Sequence, residues 1–402
     1  MIKEALILAA GKGTRMWPLT ENIPKPLLPL CGRTIIEHQI ISLKNVGVER
    51  INILIGHRMK EISDLLDDGS KYGAEINYIV QSEQKGTGHA VSLAEEHMNE
   101  SFFCLNGDTL IDELNLTLLA EREKEMAMMV TTVEDGKNFG VVKSKKGKLI
   151  SIVEKGIDGR ASINAGIYLF NKKIFNSLKS INKSIRGELE LTDALILNEI
   201  STIEYQGFWK DIGSPWDLLT ANEVQIEKIK NEIHGTIEDN VNINGDIYVG
   251  KNTVIKSGTY IEGPLWIGEN CVIGPNAYLR KGTILCGNNK VGAASEIKNA
   301  ILFEHAKAPH HNYVGDSIIG RNCNLGSGTK IANLRLDKKE ISVIHKGKRI
   351  NTNRRKLGVI MGDNVATGIN SSINSGTIIG NDTKVGPNAL ISGTYEAKSL
   401  II

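Results

Sequence analysis

The sequence predicts a chain of two parts, an α/β domain followed by an all-β solenoid of hexapeptide repeats. In residues 1 to about 230, short apolar runs alternate with helical patterns, which is typical of βαβ units and a largely parallel sheet. From residue 237 onward, an aliphatic side chain recurs at every sixth position. The 41 glycines among 402 residues, with only 5% aromatic residues, favour tight turns and thin aliphatic cores.

The first half contains short apolar runs that are candidate strands. They are Ala5–Ala10, Ile51–Ile55, Ile76–Val80, Phe102–Leu105, Ala127–Thr132 and Gly166–Phe170. Candidate helices lie between several of them, and one more connects the two halves. They are Ile35–Val46, Met59–Asp67, His89–Met98 and Trp216–Lys230. Ligands of such sheets bind at the carboxyl ends of strands, so a site is expected in the loops that follow them.

The aliphatic residues of the second half keep a six-residue period from Ile237 to Ile297, and the period returns at 319–331 and 373–391. An α-helix cannot hold this pattern, because its apolar face recurs about every 3.6 residues. A chance aliphatic bias is the alternative, and eleven consecutive matches leave it little room. The period predicts a parallel β-helix with three hexapeptides in each coil. Two stretches break it, 303–316 and 332–357; the second is either a functional loop or a solvated one.

Composition excludes several classes of function. The 48 Lys and Arg residues nearly balance the 46 Asp and Glu residues, which leaves no strongly basic footprint for nucleic acid. No apolar run reaches the roughly 18 residues of a membrane span. The five cysteines form no CxxC pair, which indicates a reducing compartment and no zinc site. We therefore expect a cytoplasmic protein that binds small molecules and neither nucleic acid nor membranes.

A glycine-rich loop follows the first strand and has the sequence Gly11-Lys12-Gly13-Thr14-Arg15. It matches neither the dinucleotide fingerprint nor the Walker loop. Its place between a buried strand and a helix still allows backbone N–H groups to cradle phosphates. Glycine-rich turns are common, so the loop alone is equally consistent with a simple turn.

The surrounding motifs make the loop specific. LAAGKGTRMWPLTENIPKPLLPL (8–30) resembles the signature of sugar-1-phosphate nucleotidylyltransferases. Later motifs follow in that family's order: GTGHA (86–90), NGDTL (106–110), FGVV (139–142), VEK (153–155), NAGIY (164–168), GELELTD (187–193) and WKDIGSP (209–215). The resemblance implies a Rossmann-like nucleotidyltransferase domain over residues 1–229.

The same resemblance implies roles for individual residues. Asp108 and Asp211 would hold Mg²⁺, Arg15 would stabilise the developing charge, and Lys25 would reach the reacting phosphates. Taken singly, each aspartate is better explained as a strand-end turn or helix cap, and the alternative for Lys25 is a surface lysine in a proline-rich loop. The nucleotide would be bound by Gly11, Gly13, Thr14, Gln81, Gly86 and Thr87. The sugar phosphate would be bound by Gly140, Glu154, Asn164 and Lys155, although a salt bridge is the plain alternative for Lys155.

The second half resembles the acetyltransferase half of the bifunctional glucosamine-1-phosphate acetyltransferase and uridylyltransferase family, in its longer archaeal form. The resemblance rests on GPNAYLRKG (274–282), SEIKNA (295–300) and KAPHHNYVGD (307–316). It implies a left-handed β-helix over residues 236–402, a trimer, and His310 as general base. The acetyl acceptor would contact Arg280, Lys298, Tyr313 and Asn324. Acetyl-CoA would contact Ser327 and Asn333.

The second half also departs from that family. Leu334 stands where a tyrosine is expected beside the CoA, and the chain ends at Ile402 without the family's basic tail. Cations of the long insertion are the hypothetical replacement for that tail at the CoA phosphates. They are Lys346, Lys348, Arg349, Arg354 and Arg355.

These resemblances predict a bifunctional enzyme. It would acetylate glucosamine-1-phosphate, or its galactosamine epimer, with acetyl-CoA, and then transfer a uridylyl group from UTP with release of pyrophosphate. The alternative is a monofunctional nucleotidylyltransferase that acts on glucose-1-phosphate with dTTP or UTP, or on mannose-1-phosphate with GTP, and whose solenoid serves assembly only. A non-catalytic regulatory homologue is disfavoured, because Arg15, Lys25 and both aspartates are present.

Overall fold

The computed structural model describes residues 2–56, 58–154 and 157–402. The chain forms two compact units. We call the one made of Met1–Lys12, Pro24–Leu27 and Ile35–Asp211 the sheet unit, and the one made of Gly13–Ile23, Leu28–Thr34 and Ile212–Ile402 the solenoid unit. The domain boundaries inferred from the sequence, 1–229 and 236–402, stay a prediction.

Strands and helices alternate over residues 33–133, as predicted, whereas four strands follow one another over residues 126–170. The strands are β1 Glu4–Leu8, β2 Pro29–Leu30, β3 Arg33–Thr34, β4 Arg50–Ile55, β5 Glu75–Val80, β6 Phe102–Asn106, β7 Met126–Val133, β8 Gly140–Lys145, β9 Lys148–Glu154, β10 Ala161–Phe170 and β11 Ile200–Glu204. The α-helices are α1 Ile35–Asn45, α2 Met59–Leu66, α3 Thr87–Ser92, α4 Glu113–Ala120, α5 Lys173–Leu178, α6 Leu191–Ile196 and α7 Pro215–Gln225. Short 3₁₀ turns include Thr14–Met16 and Lys25–Leu27.

The sheet unit is built on one mixed sheet, whose order within the described residues is β5-β4-β1-β6-β10-β7-β11-β9-β8. Strands β5, β4, β1 and β6 are parallel, whereas β10 runs antiparallel to β6 and β7. The prediction of a largely parallel sheet therefore holds for β5-β4-β1-β6 and for the pair β7–β11, whereas β8, β9 and β10 pair antiparallel with their neighbours. The sequence reading missed the hairpin β8–β9, because its two strands are joined by a tight turn at Lys146-Gly147 rather than by a crossover helix.

Apolar side chains cover both faces of this sheet. Ala5 and Ile7 of β1 belong to one buried cluster, and Leu6 belongs to the cluster on the opposite face. Leu8 at the end of β1 is in register with Asn106 at the end of β6. The loops after β1 and β6 therefore leave the sheet side by side, at the edge where ligands of α/β sheets bind.

The solenoid consists of short parallel strands stacked in three sheets. The first sheet contains Glu232–Ile233, Ile247–Val249, Leu265–Ile267, Ile284–Leu285, Ile301–Leu302, Ile318–Ile319, Val359–Met361, Thr377–Ile379 and Thr394–Tyr395. The second contains Thr236–Ile237, Val254–Ile255, Val272–Ile273, Lys290–Val291, Lys307–Ala308, Asn324–Leu325, Ala366–Thr367, Lys384–Val385 and Leu400–Ile401. The third contains Asn242–Asn244, Tyr260–Glu262, Tyr278–Arg280, Glu296–Lys298, Tyr313–Gly315, Lys330–Ile331, Ser372–Ile373 and Leu390–Ile391.

The six-residue period is the inner column of this β-helix, as predicted. The periodic residues from Val249 to Ile297 are fully buried. Ile243 is 37% exposed and Ile237 is only partly buried, because both lie in the first coil, which has a neighbouring coil on one side only. The stacked parallel coils are consistent with the left-handed β-helix that the resemblance implies.

The first predicted break, 303–316, changes the period without interrupting the solenoid. The coil continues there through buried Leu302, Ala308 and Val314. The period is shortened to five positions at two turns, between Ile297 and Leu302 and between Val314 and Ile319. Both turns connect the third sheet to the first. Two successive coils are thus tightened at the same corner.

The second break is an insertion at that same corner, one coil further on. It folds into a hairpin of Ser342–His345 and Lys348–Asn351. Ile341 and Val343 are each 1% exposed, so the stretch is not simply a solvated loop. Among the residues that the structure describes, no helix has the length and apolar character needed to cross a bilayer.

Candidate active sites

The glycine-rich loop turns sharply after β1. Gly13 has a φ of 64°, in the left-handed region that favours glycine, and it precedes the 3₁₀ turn Thr14–Met16 that carries Arg15. The Thr20 hydroxyl donates to the Gly13 carbonyl at 2.9 Å and fixes this turn. At Gly11, no described heavy atom lies within 4 Å of the position a Cβ would take, which leaves room for a ligand.

Lys25 and Asp108 meet at the carboxyl edge of the sheet. The Lys25 ammonium lies 2.5 Å from Oδ2 of Asp108, and its side chain is only 10% exposed. The Asp108 side chain is 28% exposed and follows β6 directly. The structure thus brings a predicted catalytic residue and a predicted metal ligand together, and Lys25 is buried rather than a free surface lysine.

Asp211 is brought to the same edge. An isolated antiparallel bridge pairs Asp211 with Thr109, the neighbour of Asp108, and the Leu110 N–H donates to the Lys210 carbonyl at 3.3 Å. Mg²⁺ is usually held by one or two carboxylates together with substrate phosphates. Two partly exposed aspartates, on chain segments that the Thr109–Asp211 bridge pairs, fit that requirement.

Two predicted nucleotide motifs pack on each other. The Thr87 hydroxyl accepts the Leu191 N–H at 3.1 Å, and the Gly88 N–H donates to the Leu189 carbonyl at 2.8 Å. Gly86 has a φ of 106°, and a Cβ there would lie 2.4 Å from the Leu189 carbonyl oxygen. GTGHA is therefore anchored to GELELTD, and this packing accounts for Gly86 without any nucleotide.

Gln81 is 5% exposed and lies just after β5. Its side-chain nitrogen is 3.1 Å from Nδ1 of His89 in GTGHA. Burial, followed by the positive charge of Lys85, lowers the pKa of His89 below its ordinary value, and Glu83 opposes the shift. The neutral imidazole can accept the Gln81 amide and hold its orientation.

The predicted sugar residues Gly140, Glu154 and Asn164 form a cluster. Gly140 is in register with Glu154, and a Cβ on Gly140 would lie 3.5 Å from Oε1 of Glu154 and 3.8 Å from the Asn164 Cβ. The sequence reading missed Arg186, whose guanidinium lies 3.7 Å from Glu154. Its position directly before the GELELTD motif is the feature of the sequence that could have indicated it. Lys155 lies outside the described residues.

Three of the four predicted acetyl-acceptor residues, Arg280, Lys298 and Tyr313, share the third sheet of the solenoid. Arg280 and Lys298 occupy register positions directly beside each other on successive coils, and Glu296 is likewise beside Tyr313. Arg280 pairs with Glu296 at 2.9 Å, and Lys298 lies 3.2 Å from Oδ2 of Asp316. The two cations thus form one basic strip, each held by a carboxylate.

Asp316 joins the predicted acceptor and acetyl-CoA residues. It is 2% exposed, and its Oδ2 accepts the Asn333 amide at 2.5 Å as well as the Lys298 ammonium. The same Asn333 amide lies 3.3 Å from the Tyr313 hydroxyl. Asp316 is the last residue of the KAPHHNYVGD motif, but the sequence alone predicted no role for it.

His310, Asn324 and Ser327 lie at the adjoining corner. His310 is exposed in the turn between Lys307–Ala308 and Tyr313–Gly315. Its carbonyl accepts the Gly328 N–H at 3.1 Å, which places Ser327 on the next coil. Asn324 is exposed and lies on the second sheet, whereas Tyr313 lies on the third sheet.

The cations of the insertion fall into two groups. Arg354 is 13% exposed, and its guanidinium contacts Glu223 of α7 at 2.5 Å and the Thr220 hydroxyl at 2.7 Å. This ion pair favours a structural role for Arg354, and its predicted contact with CoA phosphates stays a prediction. Arg355 instead lines an open cavity of about 490 Å³ together with Lys338, Lys339, Glu340, Ser342 and Asn351.

Comparison with known families agrees with both halves. Residues 4–228 match the family described as nucleotidyl transferase, and residues 261–397 match the GMPPB C-terminal domain. The chain is 45% identical over 406 residues to the bifunctional protein GlmU of Methanococcus maripaludis, covering 99% of this chain and 97% of that protein. It is 41% identical over 397 residues to the bifunctional sugar-1-phosphate nucleotidylyltransferase/acetyltransferase of Sulfurisphaera tokodaii, covering 97% of each.

Among solved structures, a putative glucose-1-phosphate thymidylyltransferase from Bacillus anthracis, determined in complex with sucrose, resembles part of this chain. The two share 29% identity with a TM-score of 0.52, over 58% of this chain and 98% of that one. The archaeal relatives, in contrast, extend over both halves.

Proposed function

The chain belongs to the family of bifunctional sugar-1-phosphate nucleotidylyltransferases/acetyltransferases that includes the archaeal GlmU proteins, and we propose that it makes UDP-N-acetylglucosamine in two steps. In the first step, the amine of glucosamine-1-phosphate attacks the carbonyl of acetyl-CoA and CoA leaves. In the second step, a phosphate oxygen of the product attacks the α-phosphorus of UTP and pyrophosphate leaves. The assignment of the nucleotidyl half rests on two observations. Lys25 forms an ion pair with Asp108, and a backbone bridge places Asp211 opposite Thr109.

In the nucleotidyl half, Asp108 and Asp211 would hold Mg²⁺, which supplies charge neutralisation at the phosphates. The Lys25 ammonium, buried beside Asp108, is placed to neutralise a phosphate oxygen when nucleotide enters. Arg15 would stabilise the leaving pyrophosphate from the turn after Gly13. Gly11, Gly13, Thr14, Gln81, Gly86 and Thr87 would form the nucleotide pocket, and Gly140, Glu154 and Asn164 the sugar pocket.

In the acetyl half, Arg280 and Lys298 would hold the sugar phosphate, because they are adjacent cations on one face of the solenoid. His310 would take the proton that the amine loses on attack, since its side chain is exposed and a neutral imidazole is a suitable base near neutral pH. Tyr313 and Asn324 would contact the sugar, and Ser327 and Asn333 the acetyl-CoA. The cavity at Arg355 is the place where the CoA phosphates would meet the insertion.

A monofunctional nucleotidylyltransferase with a purely structural solenoid is the competing function. The polar cluster around Asp316 favours the bifunctional one, because a solenoid that serves assembly alone has no need of a buried carboxylate that is paired with a lysine. The exposed positions of His310 and Asn324 fit a site that a neighbouring subunit completes, so we propose a homotrimer. The five cysteines, all of them described, are free thiols, which supports a cytoplasmic location.

The test is an omission assay with Mg²⁺, UTP, acetyl-CoA and either glucosamine-1-phosphate or galactosamine-1-phosphate, in which free CoA and pyrophosphate are measured separately. His310→Ala should abolish CoA release and spare pyrophosphate release from UTP and N-acetylglucosamine-1-phosphate. Asp108→Ala should do the reverse. Loss of both activities in either variant would contradict two separate sites. A wild-type protein that releases no CoA would support the monofunctional nucleotidylyltransferase instead.

A further inference from the structure

Asp316 lies at the corner of the solenoid where the regular period is shortened. The two five-residue turns carry Lys298-Asn299 on one coil and Gly315-Asp316 on the next. They stack directly, because the Asp316 N–H donates to the Lys298 carbonyl at 2.9 Å. Asn299 and Asp316 have φ values of 46° and 48°, so each turn is closed by a non-glycine residue in the left-handed region.

Both ends of the insertion are hydrogen-bonded to Asp316. The Asp316 carbonyl accepts the Gly358 N–H at 2.8 Å, where the chain returns. Its carboxylate accepts the Asn333 amide at 2.5 Å, where the chain departs. Asp316 therefore ties both ends of the insertion to the coil that precedes it.

The partners of the Asp316 carboxylate are all hydrogen-bond donors. Oδ2 accepts from the Lys298 ammonium and the Asn333 amide, and Oδ1 accepts from the Asn299 amide at 2.8 Å. An ionised carboxylate, which only accepts, matches this set, whereas a neutral amide would turn its own N–H groups toward other donors. The Asp316 side chain is 3% exposed, so water cannot readily replace a lost partner.

We propose that Asp316 is a positioning residue of the acetyltransferase site, which holds Lys298 and Asn333 where the sugar phosphate and acetyl-CoA bind. The inference rests on the proposed acetyltransferase function and adds to it a residue that need not touch either substrate. One buried carboxylate sets the position of both binding residues, so the two substrate sites share one support.

The test measures the KM for each substrate in the full-length protein. Asp316→Asn should raise the KM for glucosamine-1-phosphate and the KM for acetyl-CoA, each by about tenfold, because both Lys298 and Asn333 lose their charged partner. Lys298→Ala should raise only the first KM, and Asn333→Ala only the second. The double variant Lys298→Ala/Asp316→Asn should have a KM for glucosamine-1-phosphate no higher than that of Lys298→Ala.

The control is Asp363→Asn, which removes another buried carboxylate of the solenoid. Asp363 is 7% exposed and accepts the Arg321 N–H at 2.8 Å and the Asn22 amide at 3.1 Å, neither of which is a predicted substrate residue. It should leave both acetylation KM values unchanged. Asp316→Glu keeps the charge, so it should give a smaller KM increase than Asp316→Asn and serves as the second variant if the asparagine form does not fold.

The outcomes separate the two proposals. A wild-type protein that releases no CoA would overturn the acetyltransferase function itself. A wild type that acetylates, with an Asp316→Asn variant whose KM values are unchanged, would overturn the positioning role alone. Equal KM increases in Asp316→Asn and Asp363→Asn, or a double variant whose effects add fully, would likewise reject it in favour of a general loss of structure.

Discussion

Replacing Lys25 with methionine should slow uridylyl transfer and, at the same time, strengthen Mg²⁺ binding to the free enzyme. The Lys25 ammonium lies 2.5 Å from the Asp108 oxygen that we propose as a metal ligand. In the absence of nucleotide the lysine therefore competes with the metal for that carboxylate. Methionine keeps most of the buried stem and removes the charge, so the two effects can be measured on a folded protein.

The size of the effect follows from the geometry. Two unit charges about 4 Å apart attract by about 4 kcal/mol at an effective dielectric constant of about 20. The Asp108 side chain is 28% exposed, so solvent screening reduces this to roughly 1–2 kcal/mol, which corresponds to about tenfold tighter Mg²⁺ binding. Loss of a cation that faces the transferring phosphate should lower kcat by roughly 10²- to 10³-fold.

The assay combines calorimetric titration of the free enzyme with Mg²⁺ and pyrophosphate release from UTP and N-acetylglucosamine-1-phosphate. Lys60→Met is the matched control, because Lys60 also pairs with an aspartate, Asp64 at 2.7 Å, but on the exposed surface of α2. It should change neither quantity. Unchanged or weaker Mg²⁺ binding in Lys25→Met would refute the competition and with it Asp108 as a ligand, and an unchanged rate would remove Lys25 from the catalytic residues.

Three further predictions concern stability and the insertion. Gly86→Ala should lower the free energy of unfolding by about 2 kcal/mol and Gly147→Ala by less, because both have positive φ but only Gly86 packs against backbone; denaturant unfolding compares them. Burial lowers the pKa of His89, so the stability it contributes is present above the ordinary histidine pKa and is lost as the pH falls through its folded value; thermal unfolding at about pH 7.5 and about pH 5.5 should show a smaller difference in His89→Gln. Arg354→Ala should lower the unfolding temperature, since it breaks an ion pair to α7, and leave the KM for acetyl-CoA unchanged.

The periodic features of the fold were predictable because the spacing of apolar residues shows which side chains are buried. An aliphatic residue at every sixth position over 237–297 is compatible with few structures. The strands of the first half are short apolar runs bounded by polar turns. What could not be predicted was pairing that depends on distant chain segments. Strand β10 lies between β6 and β7 and makes the sheet mixed, and nothing local to residues 161–170 specifies its direction.

The site residues divide in the same way. Motif order predicted Asp108 and Asp211, and the structure adds that the Thr109–Asp211 bridge brings their chain segments together. Arg354 shows a different case, because charge and position along the chain predicted a substrate contact and the fold supplies Glu223 as an intramolecular partner. A cation in an insertion can be assigned to a ligand only after its intramolecular partners are known.

The shortened turns explain why the acetyl half needs a buried charge at all. A regular six-residue turn in this solenoid points its polar residues outward, as at Lys281, whose ammonium pairs with Glu227 on the exposed surface. Removing one residue at 298–301 and again at 315–318 tightens the corner, and the Asp316 carboxylate at the second turn is nearly closed to solvent. Such a carboxylate is tolerated only where donors surround it, and Lys298, Asn299 and Asn333 are those donors. Because three donors converge on one carboxylate, we expect the site to be sensitive to loss of a single oxygen acceptor.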